Sequence, residues 1–255
     1  MPDDRITMHH TPDGGLEPAV VHGAPSRRAF LRLAGATGVL AALPGVMLAC
    51  GSDDVTAPLN GIAGSGSPLL IDFAKGDAAV LQFAHVLEQL EAEFYTRVVD
   101  AFAGSNITTA EQGVLAEIRN HEVAHREFLG RLLGTENAPA ATPTFRGIDF
   151  ADRTAVLTAA KELEDLGVAA YNGAAQYLVA PENVLALGKI VSVEARHAAT
   201  VRDLLNARSA DFAPNATDEV FRPAKIAAVI QANLVDKLGF VNAPSTFVQG
   251  PRGNG

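Results

Sequence analysis

The sequence predicts an all-α fold: a four-helix bundle with one long crossover and a short C-terminal helix added to it. Three observations predict it. Four long segments carry a helical hydrophobic period, the loops between them run short, long, short, and the second pair of segments repeats the first.

From about Asp77 onward, Val80, Leu81, Ala84, Leu87, Glu88, Glu91, Tyr95 and Val98 recur at steps of three and four, the spacing of one helix face. Gly76-Asp77 offers a start and Gly104 a stop. Thr108-Thr109 precedes Glu111-Gln112, which allows a capping box in either register. The second helix then runs to about Leu133 and stops at Gly134, and the third runs from about Arg153 to Val179 with Asp152 as its cap. Pro181 suits the first turn of a fourth helix ending near Asn206. Ala224 to Val235 suggests a shorter fifth, and Gly, Pro and Asn dominate the tail after Leu238. Loops of a few residues join helices one to two and three to four, which makes each pair antiparallel. About eighteen residues, Thr135 to Asp152, separate the second helix from the third, enough to cross the length of a bundle.

The halves repeat. A shift of 76 overlays Ala79, Val80, Leu81, Ala84, Leu87, Glu88, Leu90 and Tyr95 on Ala155, Val156, Leu157, Ala160, Leu163, Glu164, Leu166 and Tyr171. A shift of 72 overlays Leu115, Ile118, Glu122, His125, Leu132 and Leu133 on Leu187, Ile190, Glu194, His197, Leu204 and Leu205. Apolar matches alone could be two bundle faces converging on one pattern. The Glu/Glu, Tyr/Tyr, Glu/Glu and His/His matches are harder to obtain that way.

Composition narrows the function. The chain has 255 residues, 48% hydrophobic and 19% charged, so wholesale disorder is excluded. A net charge of −9 provides no overall basic footprint, and no nucleic-acid partner is expected. The single cysteine, Cys50, excludes an internal disulfide framework and any Cys-rich zinc or iron–sulfur site.

The first fifty residues read as an address. Ser26-Arg27-Arg28-Ala29-Phe30-Leu31-Arg32 is followed by a charge-free apolar run from Leu33 to Ala49. That run is short for a membrane span and has the basic-then-apolar order of a secretion signal. The string is similar to a twin-arginine export signal. Met47-Leu48-Ala49-Cys50 resembles a lipoprotein box, with Met47 where Leu is usual. The expected organisation is a signal peptide over 1–49, a lipidated Cys50 with a flexible tether over 50–69, a bundle over 70–206 and an extension over 207–255. Residues 1–49 carry four basic and four acidic residues, so the remaining 206 keep the net charge of −9. The expected location is the periplasm or outer face of the cell envelope, anchored to a membrane through the lipid. The expected partners are the twin-arginine export machinery and that membrane, with a homo-oligomer left open.

Glu122-Val-Ala-His125 puts a carboxylate and an imidazole on one helix face, and Glu194-Ala-Arg-His197 repeats it. One such pair is usually solvated; two at equivalent positions of a duplicated bundle differ in kind. Glu88 and Glu164 each sit on a face otherwise made of Val, Leu and Ala, where a carboxylate is costly to bury unless paired or metal-bound. One Glu from each of two helices and a Glu-x-x-His from each of the other two form the constellation of di-iron and di-manganese bundle proteins. On these residues the sequence resembles the ferritin-like superfamily over about residues 70–206. LEQLEAEFY, residues 87–95, is similar more narrowly to the desiccation-related ferritin-like family.

The resemblance implies roles. Glu122 and Glu194 would bridge two metals, Glu88 and Glu164 would be terminal ligands, and His125 and His197 would each hold one metal. Four carboxylates neutralise two divalent ions, and hard oxygen ligands with two imidazoles suit two Fe ions, with Mn as the alternative; ligand type alone also admits zinc. Glu91 shares the face of Glu88, but its repeat partner is Gly167, so it is expected beside the ligands or facing solvent. His85, paired with Lys161, is expected at the surface or in packing, and His121, paired with Val193, is expected to be structural. Tyr95 and Tyr171 lie two turns beyond Glu88 and Glu164, where a buried hydroxyl wants a partner, and related proteins place a tyrosine near the metals. The expected activity is oxidation of the metal pair by O2 or peroxide, a ferroxidase or peroxide-consuming stress-protection role. The alternative is a non-enzymatic, metal-stapled envelope protein for structure or desiccation protection.

Overall fold

The computed structural model describes residues 68–244; the export signal, Cys50 and nearly all of the tether lie outside them. The elements are β1 (Pro68–Asp72), α1 (Asp77–Asp100), α2 (Thr109–Leu133), α3 (Arg153–Ala174), α4 (Pro181–Leu205), α5 (Pro223–Ile230) and β2 (Lys237–Val241). The all-α bundle expected from the period is therefore present, with a crossover between α2 and α3.

Local chemistry sets the helix ends. Of the two capping-box registers, the chain uses Thr108 with Glu111: the Glu111 N–H donates to Thr108 Oγ1, and Glu111 Oε2 accepts from the Thr108 N–H at 3.0 Å. Asp152 accepts from the Ala155 N–H at 2.7 Å and starts α3. Gly134 ends α2 at φ 74, a conformation that suits glycine. α3 gives way at Ala175 to a tight 3-10 turn, a few residues earlier than Val179.

Ties between helix ends fix the antiparallel arrangement. The Asp77 carboxylate, at the start of α1, accepts from the N–H groups of Val179 and Ala180 in the α3–α4 turn and from Asn183 Nδ2 in the first turn of α4. At the other end, Arg153 donates to Glu111 Oε1 at 2.6 Å and to the Leu204 carbonyl at 2.7 Å, joining the starts of α2 and α3 to the end of α4. The Arg153 bonds, with the Thr108 cap, hold the Glu111 carboxyl down at about 2. Val80, Val98, Leu115, Leu129, Val156, Leu157, Leu187 and Val201 fill the space between the helices.

The crossover lies along α1. Gln82 donates to the Asn137 carbonyl, and the Gln89 amide both donates to the Pro139 carbonyl and accepts from the Ala141 N–H. The extension after α4 does more than add one helix. α5 packs on α3, and Ile226, Ile230, Leu234 and Leu238 are buried. β2 pairs in parallel with β1, Ile71 opposite Phe240, so the Gly-, Pro- and Asn-rich tail that begins near Leu238 and the end of the tether contribute to a small ribbon. That ribbon is local to ten residues and leaves the fold helical. Between α5 and β2 the chain also bonds the crossover, Thr144 N–H to the Asn233 carbonyl and Val235 N–H to the Thr142 carbonyl. Among the described residues no helix is long and apolar enough to cross a membrane.

Candidate metal centre

The six residues singled out by the repeat converge in the middle of the bundle. Glu88, Glu122, Glu164 and Glu194 are fully buried, and His197 nearly so. They form two groups, Glu88, Glu122, His125 and Glu194 on one side and Glu122, Glu164, Glu194 and His197 on the other, each with its ligand atoms within 4.8 Å of one another. Glu122 and Glu194 belong to both groups, and each group holds one imidazole.

The donor atoms crowd together at short range. His125 Nδ1 lies 2.9 Å from Glu194 Oε1 and 3.5 Å from Glu88 and Glu122 oxygens. His197 Nδ1 lies 2.7 Å from Glu122 Oε1, 3.6 Å from Glu164 Oε2 and 3.9 Å from Glu194 Oε2. Yet both Nδ1 atoms, both oxygens of Glu122 and of Glu194, and one oxygen each of Glu88 and Glu164 are buried without a hydrogen bond of acceptable geometry. Buried polar atoms are normally satisfied. A ring of orphans converging from four helices fits two cations that they would all ligate.

The electrostatics say the same. Burial pushes Glu88 up to about 8 and drives Glu91 and Glu194 well up, with the surrounding carboxylates adding to it. Burial also raises Glu164. Glu122 resists burial, because His125 and His197 hold it down at about 2. Burial works against the imidazolium forms, but the facing carboxylates outweigh it and raise His125 to about 12 and His197 to about 10. Glu122 is thus the one carboxylate of the group held ionised, and the two imidazoles are held as cations beside it.

The tyrosines reach across the bundle. Tyr95 on α1 donates to Glu164 on α3 at 2.5 Å, and Tyr171 on α3 donates to Glu88 on α1. Seven residues span about 10.5 Å along a helix, too far for a tyrosine to serve the glutamate of its own helix. In the antiparallel partner the spacing brings each hydroxyl to the other glutamate, and each holds one carboxylate oxygen in place.

Three neighbours differ in fate. His85 is buried away from the centre, under Gly130 and bonded to Gln89 at 3.1 Å. Glu91 does not face solvent: it is 2% exposed, its Oε2 has no partner, and a Cβ on Gly167 would stand 2.7 Å from its Oε1. The glycine at the repeat-equivalent position is what leaves room for it, a signal available in the sequence. His121 is not merely structural, because its Nδ1 lies 2.9 Å from His197 Nε2, with the rings 9° from parallel. It stands four residues before His125 and so shares that ligand's face, a cue masked by its position next to Glu122. His121, His125 and His197 together line a cavity of about 660 Å3 between α2 and α4.

A helix bundle with one crossover and two inward Glu-x-x-His motifs defines the class of di-metal carboxylate bundles. The family model for the ferritin-like domain matches residues 76–207, just over half of the sequence, and the chain belongs to that family. No curated protein matches the sequence.

Proposed function

We propose that this ferritin-like protein holds two iron ions, with manganese as the alternative, and passes electrons from that pair to dioxygen or peroxide. The observation that carries the reading is the ring of eight orphaned, buried Glu and His atoms drawn from four helices. Glu122 and Glu194 would bridge, Glu88 and His125 would complete one position, and Glu164 and His197 the other. The metals, when bound, supply the redox chemistry. The chain's own part is to fix the carboxylates through Tyr95 and Tyr171, to keep bulk water out with the Val, Leu and Ala packing, and to present the imidazoles to the cavity between α2 and α4.

The test loads the protein anaerobically with Fe(II), counts ions per chain, then adds O2 or peroxide. Two ions per chain and a rise of visible charge-transfer absorption on oxidation are expected. Two ions held with no reaction toward either oxidant would favour the metal-stapled structural role instead.

The narrower placement in the desiccation-related group rests on LEQLEAEFY. The Ser26–Arg32 string and Cys50 support export by the twin-arginine route and anchoring by lipid, which would allow loading with metal before transport. Cys50→Ser is then expected to release the protein in soluble form or leave the precursor uncleaved, as fractionation of cells would read. Lipidated protein recovered after that substitution would refute the anchor.

A further inference from the structure

The internal repeat equates the two metal positions, and the structure breaks that equivalence at His121. His197 turns Nδ1 toward Glu122, Glu164 and Glu194, which leaves Nε2 pointing outward. The outward atom meets His121 Nδ1 at 2.9 Å. His125 turns Nδ1 inward in the same way, but the repeat places Val193 where an outer partner would stand, and valine offers no acceptor.

We infer that His121 is a positioning residue for one metal position alone, accepting the Nε2 proton of His197 and so making that position the tighter of the two. This rests on the proposed metal binding. A neutral imidazole has one proton, and an Nδ1 that ligates must leave it on Nε2. His121 Nδ1 is placed to accept that proton, which fixes the His197 tautomer and ring orientation and raises the basicity of its ligating atom. The opposite arrangement, with His121 donating, would put the His197 proton on Nδ1 and block ligation. The near-parallel rings, 9° apart, keep the two nitrogens in line. At His125 the tautomer is left to solvent in the cavity. Loss of such an outer partner typically costs 10–100-fold in metal affinity.

The experiment uses anaerobic Co(II) titration of the full chain, read by competition with a chelator and by the visible ligand-field bands. Two backgrounds separate the positions: His125→Ala leaves only the His197 position complete, and His197→Ala only the other. In the His125→Ala background His121→Phe is expected to weaken Co(II) about 10–100-fold and shift the bands. In the His197→Ala background it is expected to change neither. His121→Asn, whose carbonyl can still accept, is expected to recover most of the affinity where His121→Phe lost it. Equal effects of His121→Phe in both backgrounds, no effect in either, or equal losses for Phe and Asn would overturn the inference while leaving metal binding intact. Failure of the unaltered chain to bind Co(II) or Fe(II) at all would instead overturn the proposed function, and this inference with it.

Discussion

At the residue scale, the centre is governed by how few of its polar atoms can be satisfied by protein alone. Glu122 and Glu194 sit in both groups of clustered side chains, so under the proposed function each would serve two ions. Glu122→Ala or Glu194→Ala is expected to lower bound Fe(II) from about two ions per chain to one or none, measured by metal analysis. Glu91 adds a fifth carboxylate to the same buried volume, and Gly167 is the reason it fits. Gly167→Ala should force the Glu91 carboxylate aside at a cost of about 1–3 kcal/mol of unfolding free energy, an overpacking penalty. In a Glu91→Ala background the same substitution should cost much less, and a denaturant double-mutant cycle reads the difference. A similar cost in both backgrounds would show that Glu91 is not what occupies the space.

Among the elements, the C-terminal extension meets α3 at its closest approach at Phe221. The Phe221 N–H donates to the Ala169 carbonyl at 3.0 Å, and the Phe221 carbonyl passes so close to Gly173 that any Cβ there would overlap it. Backbone cannot move aside as a side-chain end can. Gly173→Ala is therefore expected to lift the segment before α5 off α3, with a loss of about 1–3 kcal/mol or more. Hydrogen exchange should localise the change to α5 and β2 while the α1–α4 amides stay protected. The extension in turn holds the crossover through Thr142 and Thr144, and the crossover lies on α1 through Gln82 and Gln89. Loosening of the tail should therefore reach the crossover before it reaches the bundle.

Across the whole molecule, the cluster couples stability to pH. Glu88, at about 8, and Glu91 and Glu194, well raised, keep protons in the folded chain that the unfolded chain releases above about 4.5. His125 and His197, at about 12 and about 10, keep theirs above the unfolded value of 6.5. In both cases the folded state binds more protons, so stability falls as pH rises, by about 1.4 kcal/mol per pH unit for each proton in question. Glu122 acts oppositely, and its share is lost as pH drops from about 4.5 to about 2. Chelator-treated protein should thus melt highest near pH 5 and lose stability steadily toward pH 8. Glu91→Gln should make that decline shallower. Loading with Fe(II) should raise the melting temperature most at pH 8, where cations replace protons that are no longer supplied. An unchanged melting temperature across this range would mean that the carboxylates are solvated.

The four long helices, their order and their loop lengths are legible in the amino-acid sequence, because period, caps and breakers are local properties. The six clustered side chains are marked there too, since a duplicated bundle writes the same polar residue twice on faces that are otherwise apolar. What the sequence leaves open depends on contacts between segments far apart in the chain. The pairing of Tyr95 with Glu164 and of Tyr171 with Glu88 follows from α1 and α3 running antiparallel. The burial of Glu91 follows from the gap that Gly167 leaves on another helix. The repeat compares equivalent positions and pairs His121 with Val193, whereas the contact that matters, with His197, lies across the α2–α4 interface. The β1–β2 ribbon joins segments about 170 residues apart, and strand pairing over such a distance has no local period to announce it. Each of these is a matter of which surfaces meet in the folded chain, and a helix face does not name its neighbour.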